Sequence, residues 1–407
     1  MRSTAPIYLT VALVSAPLLL SSCQDADADD QATETFAATS DNGLAVINGL
    51  NALNGLSLNG LNALNGLTAL NGLNALNGLT GLNGLVTTTE GRNTMSYIVK
   101  CALPAGRSIT TSYNGTTYKW SGSLGVAPGW ETGSCNTSCQ QIVSACVMAH
   151  VNTTGRHISI YLDSPVALGL GRSNTHPMQE GAFFGNIFTS PPQAYYCNGY
   201  DWDRGPVAGR IGAGSSGSPY KNPFSGNGLC QANCSTVGYS AEAFTNCAGF
   251  GNNVVTVYRD FDPSVPYTIC NKFTKMCLDV SGSSTTAGTP IVMWPQSGAK
   301  NQKFYFERAS IASHDGNYRI RSASSGLYVD INGGSTASGA TAMQWSNNGG
   351  TSQMWNMVQV VAGSYLMENE RSRLLLNAAG VPAGAPVPQK GSGYYTDLQM
   401  WKLTLAQ

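Results

Sequence analysis

A threefold repeat in the C-terminal third of the chain constrains the fold more than any other feature of the sequence. A Gln followed two residues later by an aromatic residue occurs in three segments, KNQKFYFE, TSQMWNMV and DLQMWKLT. These glutamines are spaced by 51 and 46 residues, and they are Gln302, Gln353 and Gln399. Three units of about 45 to 50 residues are each too small to bury a core alone, so they must share one core.

Two further positions recur in step with the glutamines. An acid or amide precedes each Gln at spacings of 51 and 47 residues, at Asp279, Asp330 and Asn377. Between them lies an aromatic residue in two of the units, with a Lys in the third, at Trp294, Trp345 and Lys390. With these motifs in the same order, residues 265–407 resemble the ricin-B-type lectin family, whose domains are β-trefoils with three sugar-binding lobes.

The resemblance implies a role for each repeated residue. The Gln would orient the residues of the sugar site, and the aromatic residue after it would pack in the shared core. This places Phe304, Trp355 and Trp401 in the core rather than against a ligand. It also implies a carbohydrate partner, of the galactose or xylose type.

The first lobe has the complete chemistry of a sugar site. A pyranose has an apolar C–H face that packs on an aromatic ring, and hydroxyls that need a carboxylate acceptor and amide donors. The first lobe provides this set in four residues, which are Asp279, Trp294, Asn301 and Gln302.

The other two lobes depart from this set to different extents. The second lobe retains three of the four residues, Asp330, Trp345 and Gln353. Ser352 stands where the first lobe has Asn301, and Asn347 or Asn348 could replace the missing amide.

The third lobe departs further. Asn377 replaces the acid, Lys390 the aromatic residue and Leu398 the amide, so we expect no sugar site there. Tyr394 or Tyr395 is the alternative source of an aromatic surface.

The N-terminus resembles an export signal with a lipid attachment site. Residues 1–23 contain one Arg and an apolar run that ends in Leu20-Ser21-Ser22-Cys23. This ending resembles the lipobox of bacterial lipoproteins, in which the signal is removed before a Cys that is then lipidated. The sequence therefore predicts an exported protein anchored to a membrane through Cys23 at the cell envelope or cell surface. The alternative is simple cleavage, which would leave a free N-terminal Cys.

The cysteine count indicates a disulfide-bonded protein. The chain has 11 cysteines, and setting Cys23 aside leaves ten: Cys101, Cys135, Cys139, Cys146, Cys197, Cys230, Cys234, Cys247, Cys270 and Cys277. An even number in an exported chain predicts disulfides. The alternative is a metal site, because Cys135-x3-Cys139 and Cys230-x3-Cys234 have acceptable ligand spacing. Cys270 and Cys277 flank an expected tight hairpin and are predicted to pair with each other. We predict neither a metal site nor a cofactor.

Two low-complexity segments follow the signal. Residues 24–41 are acidic and poor in apolar side chains, which predicts a solvated tether. Residues 42–86 form a Leu-Asn-Gly repeat with Leu at almost every third position. A period of three keeps no apolar stripe on a helix, so a spacer is predicted, with a stack of short turns as the alternative.

Residues 88–262 are predicted to be a cystine-rich α+β domain. SITTSYNGTTYKW has the pattern of a β-hairpin with an Asn-Gly turn, and HISIYLD and NNVVTVYRD are typical of strands. CNTSCQQIVSACVMAHVNTTG has helical spacing of its apolar residues, with Ser or Thr as N-cap. The whole chain is therefore multidomain: a repeat spacer, a disulfide-rich α+β domain and an all-β trefoil.

Candidate catalytic residues in the middle domain are weakly supported. GSSGSP resembles the nucleophile loop of chymotrypsin-like proteases, with Ser216 as nucleophile and His150 as base. Only 66 residues separate the two, which argues against that fold. A glycosidase would need two opposed carboxylates, for which the candidates are Glu131, Asp163, Glu180, Asp201 and Asp203. A metal site could use the trio His150, His157 and His176, although their spacing matches no known signature.

Charge excludes one class of partner. The net charge is +0 and only 11% of residues are charged, so no basic surface for nucleic acid is predicted. The sequence favours a surface-anchored carbohydrate-binding protein over an enzyme. The alternative is a secreted hydrolase targeted to a polysaccharide by its lectin module, and a purely structural surface protein is the third possibility.

Overall fold

The computed structural model describes residues 38–42, 76–77, 84–150, 158–166, 175–189, 193–201, 225–237, 243–309, 317–360, 363–391 and 396–406. Several predicted features lie outside these residues. They are the signal and Cys23, most of the tether and spacer, His157, Asp203, Ser216, Tyr394 and Tyr395. No helix among the described residues has the length and apolar character needed to cross a membrane.

The first part of the described chain combines helices with a six-stranded sheet. Its elements in chain order are β1 (Ala38–Asn42), β2 (Leu76–Asn77), α1 (Thr89–Ala102), β3 (Ser108–Tyr113), β4 (Thr116–Ser121), β5 (Ser134–Cys135), α2 (Thr137–Ala149), β6 (Ile158–Asp163), β7 (Met178–Asn186), β8 (Gln193–Asn198), β9 (Ser225–Leu229), α3 (Cys230–Asn233), β10 (Ser235–Val237), β11 (Ala243–Thr245) and β12 (Val254–Arg259). The sheet has the order β1-β6-β12-β7-β8-β9, antiparallel except between β8 and β9. Helix α2 packs on β7 and β12, and α1 packs on α2.

The predicted helix and hairpin are both present. Helix α2 begins at Asn136, whose side chain accepts a hydrogen bond from the Cys139 amide, so the N-cap is Asn rather than the predicted Ser or Thr. Strands β3 and β4 form the predicted hairpin, with Asn114 and Gly115 both at positive φ in the turn.

Helix α1 was missed by the sequence analysis. Its N-cap is Thr88, and Met95, Ile98, Val99 and Ala102 are among the residues it buries. These residues have the i, i+3, i+4, i+7 spacing of one helix face. The signal was therefore present in the sequence, but it is short and follows a polar first turn.

Two low-complexity predictions need correction within the described residues. Part of the acidic tether, Ala38–Asp41, lies in strand β1, which pairs with β6 at the edge of the sheet. Part of the spacer also contacts the domain, since Leu76–Asn77 pairs with β5 and Leu85 and Val86 are buried in its core. An unpaired sheet edge provides backbone partners for any extended segment, whatever its side chains.

All ten predicted cysteines form disulfides. The pairs are Cys101–Cys146, Cys135–Cys139, Cys197–Cys230, Cys234–Cys247 and Cys270–Cys277. The predicted pairing of Cys270 with Cys277 is confirmed, and it spans neighbouring strands of the C-terminal domain. The four cysteines considered as alternative metal ligands, Cys135, Cys139, Cys230 and Cys234, are all disulfide-bonded.

The C-terminal domain contains four strands per repeat. They are β13 (Tyr267–Asn271), β14 (Cys277–Val280), β15 (Ile291–Trp294), β16 (Lys303–Arg308), β17 (Asn317–Ser322), β18 (Tyr328–Ile331), β19 (Ala342–Trp345), β20 (Trp355–Gln359), β21 (Ser364–Asn369), β22 (Leu375–Leu376), β23 (Gln389–Lys390) and β24 (Trp401–Leu405). The first and last strand of each repeat close a six-stranded barrel, because β24 pairs with β13. The inner two strands of each repeat form a hairpin, so the domain is the predicted β-trefoil.

The aromatic residues of the Gln-x-aromatic motif lie in the shared core, as expected. Phe304, Trp355 and Trp401 are each 0% exposed. The indole N–H of Trp355 donates to the Val329 carbonyl at 3.1 Å, and that of Trp401 donates to the Leu376 carbonyl at 3.2 Å. These bonds tie the last strand of each repeat to the inner hairpin of the same repeat.

The trefoil and the preceding domain share part of their core. Phe261 follows β12 directly, is 3% exposed and stacks on Phe306 with 4.5 Å between ring centroids. Asp260 accepts a hydrogen bond of 2.5 Å from the Tyr318 hydroxyl and pairs with Arg308. The chain is therefore packed against the trefoil at Asp260 and Phe261, and the exposed part of the junction is Pro263 and Ser264.

The buried indole gives a test of this packing. Trp355→Ala should lower the free energy of unfolding by about 3 to 5 kcal/mol, because it leaves a large cavity. Trp355→Phe should cost about 1 to 3 kcal/mol, because Phe fills most of the space but leaves the Val329 carbonyl unpaired. Urea denaturation of the full chain measures both. Trp345→Ala, in the same repeat but 40% exposed, is the control. If Trp345→Ala lowers the free energy of unfolding as much as Trp355→Ala does, the assignment of Trp355 to the core is wrong.

Candidate carbohydrate-binding site

The hairpin of the first lobe brings Asp279 and Trp294 to one face. Asp279 on β14 pairs with Val292 on β15, and Trp294 is two residues further along β15. Paired residues share a face of a sheet, and so do residues two apart on a strand. The same register in the second lobe pairs Asp330 with Met343 and places Trp345 two residues on. The spacing of the sequence repeat thus becomes a spatial arrangement of acid and aromatic ring.

In the first lobe the carboxylate of Asp279 is held by two amides. Asn301 Nδ2 donates to Oδ1 at 2.7 Å, and Gln302 Nε2 donates to Oδ2 at 2.9 Å. Gln302 is itself fixed, because its Nε2 also donates to the Pro295 carbonyl and its Oε1 accepts from the Ser297 amide. The predicted set therefore meets in space, with both amides on the turn Lys300–Gln302.

Two opposing effects act on the pKa of the Asp279 carboxyl. Burial raises its pKa above the ordinary value of 3.8, since the side chain has lost most of its contact with water. The hydrogen bonds from Gln302 and Asn301 lower the pKa, because they stabilise the charged form. Each oxygen still has lone pairs available, so a sugar hydroxyl can donate to it.

The ring of Trp294 is the aromatic surface of this site. It is 47% exposed, which is unusual for a Trp in an otherwise buried strand. A pocket of about 440 Å³ lies in front of it and is lined also by Asp279, Ser283, Asn301 and Gly384. The pocket thus has an acceptor, amide donors and an aromatic wall within one concave surface.

The second lobe reproduces this geometry with one amide displaced. Gln353 Nε2 donates to Asp330 Oδ2 at 3.0 Å and to the Ser346 carbonyl at 2.8 Å. Asn348 Nδ2 donates to the same Oδ2 at 3.3 Å, so Asn348, rather than Asn347, partly replaces the missing Asn. Asp330 Oδ1 is buried and has no hydrogen-bond partner in the described structure. Trp345 is 40% exposed and forms the aromatic surface.

The third lobe lacks the arrangement. Asn377 Oδ1 accepts a hydrogen bond of 2.6 Å from the Ala379 amide in its own loop. Gln399 donates to the Gly391 carbonyl, and its Oε1 is buried without a partner among the described residues. Lys390 stands at the position of the aromatic ring. The residues needed for a sugar site are not assembled in the described part of this lobe.

The sequence analysis missed the contribution of neighbouring lobes to each site. A Cβ atom on Gly384, in the third lobe, would lie 3.3 Å from Trp294 Cζ3 in the first. Gly288, in the first lobe, has the same relation to Trp345 Cζ3 in the second, also at 3.3 Å. Gly339 is the equivalent residue of the second lobe, and a Cβ there would meet nothing within 4 Å. A glycine of one lobe therefore lies against the aromatic ring of the next, and the signal for it is a third repeat of spacing 51 and 45.

The two candidate catalytic histidines that the structure describes, His150 and His176, are buried. His150 is 0% exposed, and its Nδ1 lies 2.8 Å from the Cys146 carbonyl. Its partner in the protease hypothesis, Ser216, lies outside the described residues. The His176 ring is 4% exposed and stacks on Tyr161, and burial lowers its pKa to about 4. The two histidines that the structure describes are therefore buried in the domain.

The four candidate glycosidase carboxylates that the structure describes are ion-paired or buried. Asp163 and Asp201 are both 0% exposed. Asp201 Oδ2 accepts from the Gln179 amide and from Gln359 Nε2 of the trefoil, so it joins the two domains. Glu180 pairs with buried Arg259 at 3.3 Å, and Glu131 pairs with Arg107 at 3.7 Å. A polysaccharide cannot reach carboxylates that are fully buried.

A comparison with protein families agrees with the geometry of the trefoil. Residues 261–312 and 300–390 match the family described as ricin-type beta-trefoil lectin domain-like. The C-terminal domain is a ricin-type β-trefoil lectin-like domain. No curated protein matches the chain.

Three of the solved structures that are similar to the chain each cover about a third of it. The designed threefold symmetric protein ThreeFoil is 28% identical, with a TM-score of 0.32, over 34% of this chain and 97% of its own. The Rhizoctonia solani agglutinin is 20% identical, with a TM-score of 0.31, over 35% of this chain and 96% of its own. The Macrolepiota procera ricin B-like lectin, in complex with lactose, is 21% identical, with a TM-score of 0.30, over 35% and 97%.

The glycine contacts give a prediction with an internal control. Gly384 and Gly339 have φ of +83° and +92°, so an Ala at either should cost about 1 to 3 kcal/mol of stability through backbone strain. Only Gly384→Ala should also displace the Trp294 ring and weaken ligand binding in the first lobe. Urea denaturation and sugar titration of both variants measure the two effects. Equal binding by the two variants would show that the Gly384 contact does not position Trp294.

Proposed function

We propose that the protein is a carbohydrate-binding protein that recognises galactose- or xylose-type glycans through the first two lobes of its trefoil. The observation that most supports this is the carboxylate of Asp279, held by Asn301 and Gln302 beside the exposed ring of Trp294. A pyranose would pack its C–H face on the Trp294 ring and donate a hydroxyl hydrogen bond to the carboxylate.

Two lobes would bind sugar, and this number affects which kind of ligand the protein would recognise. A single shallow sugar site is weak, because hydroxyl groups exchange water for protein partners at small net gain. Two sites on one rigid trefoil raise the effective concentration of the second contact when both engage one polymer. The proposed ligand is therefore a polysaccharide or a multivalent glycoconjugate rather than a free monosaccharide.

The proposed location follows from the N-terminal sequence. Export and lipidation of Cys23 would place the protein at the cell envelope or cell surface, anchored to a membrane. Many anchored copies would then bind one polymer together, which compensates for the weakness of each site.

The first test of this function removes the acceptor and the aromatic surface separately. Asp279→Ala should weaken binding of the full chain to a galactose- or xylose-type oligosaccharide by roughly 5- to 150-fold, because the bound hydroxyl loses its acceptor, about 1 to 3 kcal/mol. Trp294→Ala should weaken binding to a polysaccharide more than binding to a monosaccharide. Isothermal titration calorimetry measures both. Lys390→Ala is the control and should change neither.

Two results would reject the proposal. One is a glycan array on which the full chain binds no sugar at all. The other is an Asp279→Ala isotherm that overlays that of the unmodified protein. A loss of binding on changing Lys390 would instead show that the third lobe is used.

The second test concerns the anchor. Cys23→Ser should move the protein from the membrane fraction to the soluble fraction of the cells that produce it, because a serine cannot form the thioether that bears the lipid. Fractionation followed by immunoblotting measures the distribution. If both forms partition alike, the prediction of a lipid anchor is wrong, whereas the proposed lectin function is unaffected.

A further inference from the structure

The second lobe has an unfilled acceptor that the first lobe does not have. In the first lobe Asn301 donates to Asp279 Oδ1 at 2.7 Å. In the second lobe Ser352 replaces that Asn, and Asp330 Oδ1 is left without a partner in the described structure, although Asp330 is only 3% exposed. The loss of the Asn donor therefore leaves a buried carboxylate oxygen unsatisfied, which is unfavourable.

An arginine from the third lobe lies beside Gly334 and Ser352 of the second lobe. A Cβ atom on Gly334 would lie 3.5 Å from Arg371 Nη1 and 3.7 Å from Ser352 Oγ. The guanidinium and the Ser352 hydroxyl therefore flank the same small space. The corresponding residue of the first lobe is Ser283, which has a side chain where Gly334 has none. The two smaller residues of the second lobe, Gly334 and Ser352, leave the space open.

The Arg371 side chain is available to a ligand. It is exposed, and no ion pair of Arg371 is present in the described part of the chain. Arg373, two residues later, pairs instead with Glu368 at 3.2 Å and Glu370 at 2.8 Å. Arg319 also contacts the second lobe, since its Nη2 donates to the Gly349 carbonyl at 3.2 Å.

We propose that the second lobe binds an acidic sugar, a hexuronic acid residue, and this rests on the proposed carbohydrate function. The sugar carboxylate would pair with the Arg371 guanidinium, whose planar set of donors matches a carboxylate. The C–H face of the same sugar would lie on the exposed ring of Trp345.

The first lobe lacks this charge. Arg371 lies 47 residues after Ser324, which is the same spacing that separates Asn377 from Asp330, so a serine takes the equivalent place beside the first lobe. The first lobe therefore binds a neutral sugar and the second an acidic one. A polysaccharide that contains both neutral and uronic acid residues would engage the two lobes together.

A matched pair of ligands tests the proposal. Methyl galactoside and methyl galacturonide differ only at the carboxylate, and fluorine NMR of the full chain labelled with 5-fluorotryptophan reports on each of the seven Trp residues. The galacturonide should shift the Trp345 signal, and the galactoside should shift the Trp294 signal. Arg371→Gln should weaken galacturonide binding at Trp345 at least 5-fold and leave galactoside binding at Trp294 unchanged.

Two further variants complete the design. Lys402→Gln removes one exposed positive charge on β24 and should leave both ligands unaffected. Ser352→Asn restores the larger side chain of the first lobe and should weaken the galacturonide, because it fills the space beside the Arg371 guanidinium. If Lys402→Gln weakens galacturonide binding as much as Arg371→Gln does, the attraction is non-specific and the proposal is overturned.

The outcomes separate this inference from the proposed function. If the galactoside shifts Trp294 but the galacturonide does not shift Trp345, the acidic site is wrong and the lectin function stands. If the galacturonide binds equally with and without Arg371, the assignment of the guanidinium is wrong. If the galactoside shifts neither ring, the proposed function fails at its own site.

Discussion

The hydrogen bond between the motif Gln and the carboxylate of its lobe is the interaction on which the trefoil sites depend. Gln302 holds Asp279 in the first lobe, and Gln353 holds Asp330 in the second. The aromatic residue two positions after each Gln lies in the shared core, so core packing fixes where the amide points. Where Asn377 replaces the acid, Gln399 bonds to a backbone carbonyl instead, and the described residues of that lobe do not assemble the same site.

The lobes depend on one another more than a repeat of separate sites would suggest. Gly384 of the third lobe lies against Trp294 of the first, and Arg371 of the third lobe lies beside Gly334 of the second. The third lobe has lost its own acid and aromatic ring, yet it supplies parts of both other sites. A lobe that has lost its own sugar-binding residues therefore still carries residues that contact the neighbouring lobes. The packing of Phe261 and Asp260 against the trefoil adds a similar constraint from the preceding domain.

Much of this could be predicted from the sequence because the trefoil has a periodic signal. The spacing of acid, aromatic residue and Gln predicts which residues share a face, and the even cysteine count predicts the disulfides. The contacts between lobes were not predicted, because Gly384 and Arg371 reach sites far from them in the chain. Strand β1 was missed since its side chains are those of a solvated segment and only the sheet edge makes it extended. In the middle domain the sequence placed Asp201 among catalytic candidates, whereas its burial and its contact with Gln359 give it a structural position.

The central claim is that acid, amide and aromatic ring together make the sugar site in the first lobe. A crystal structure of the full chain with a bound galactose- or xylose-type disaccharide tests it most directly. We expect the C–H face of one sugar ring on Trp294, a hydroxyl within hydrogen-bond distance of the Asp279 carboxylate, and no sugar beside Asn377. A sugar bound away from Asp279, or one bound equally in the third lobe, would contradict the account.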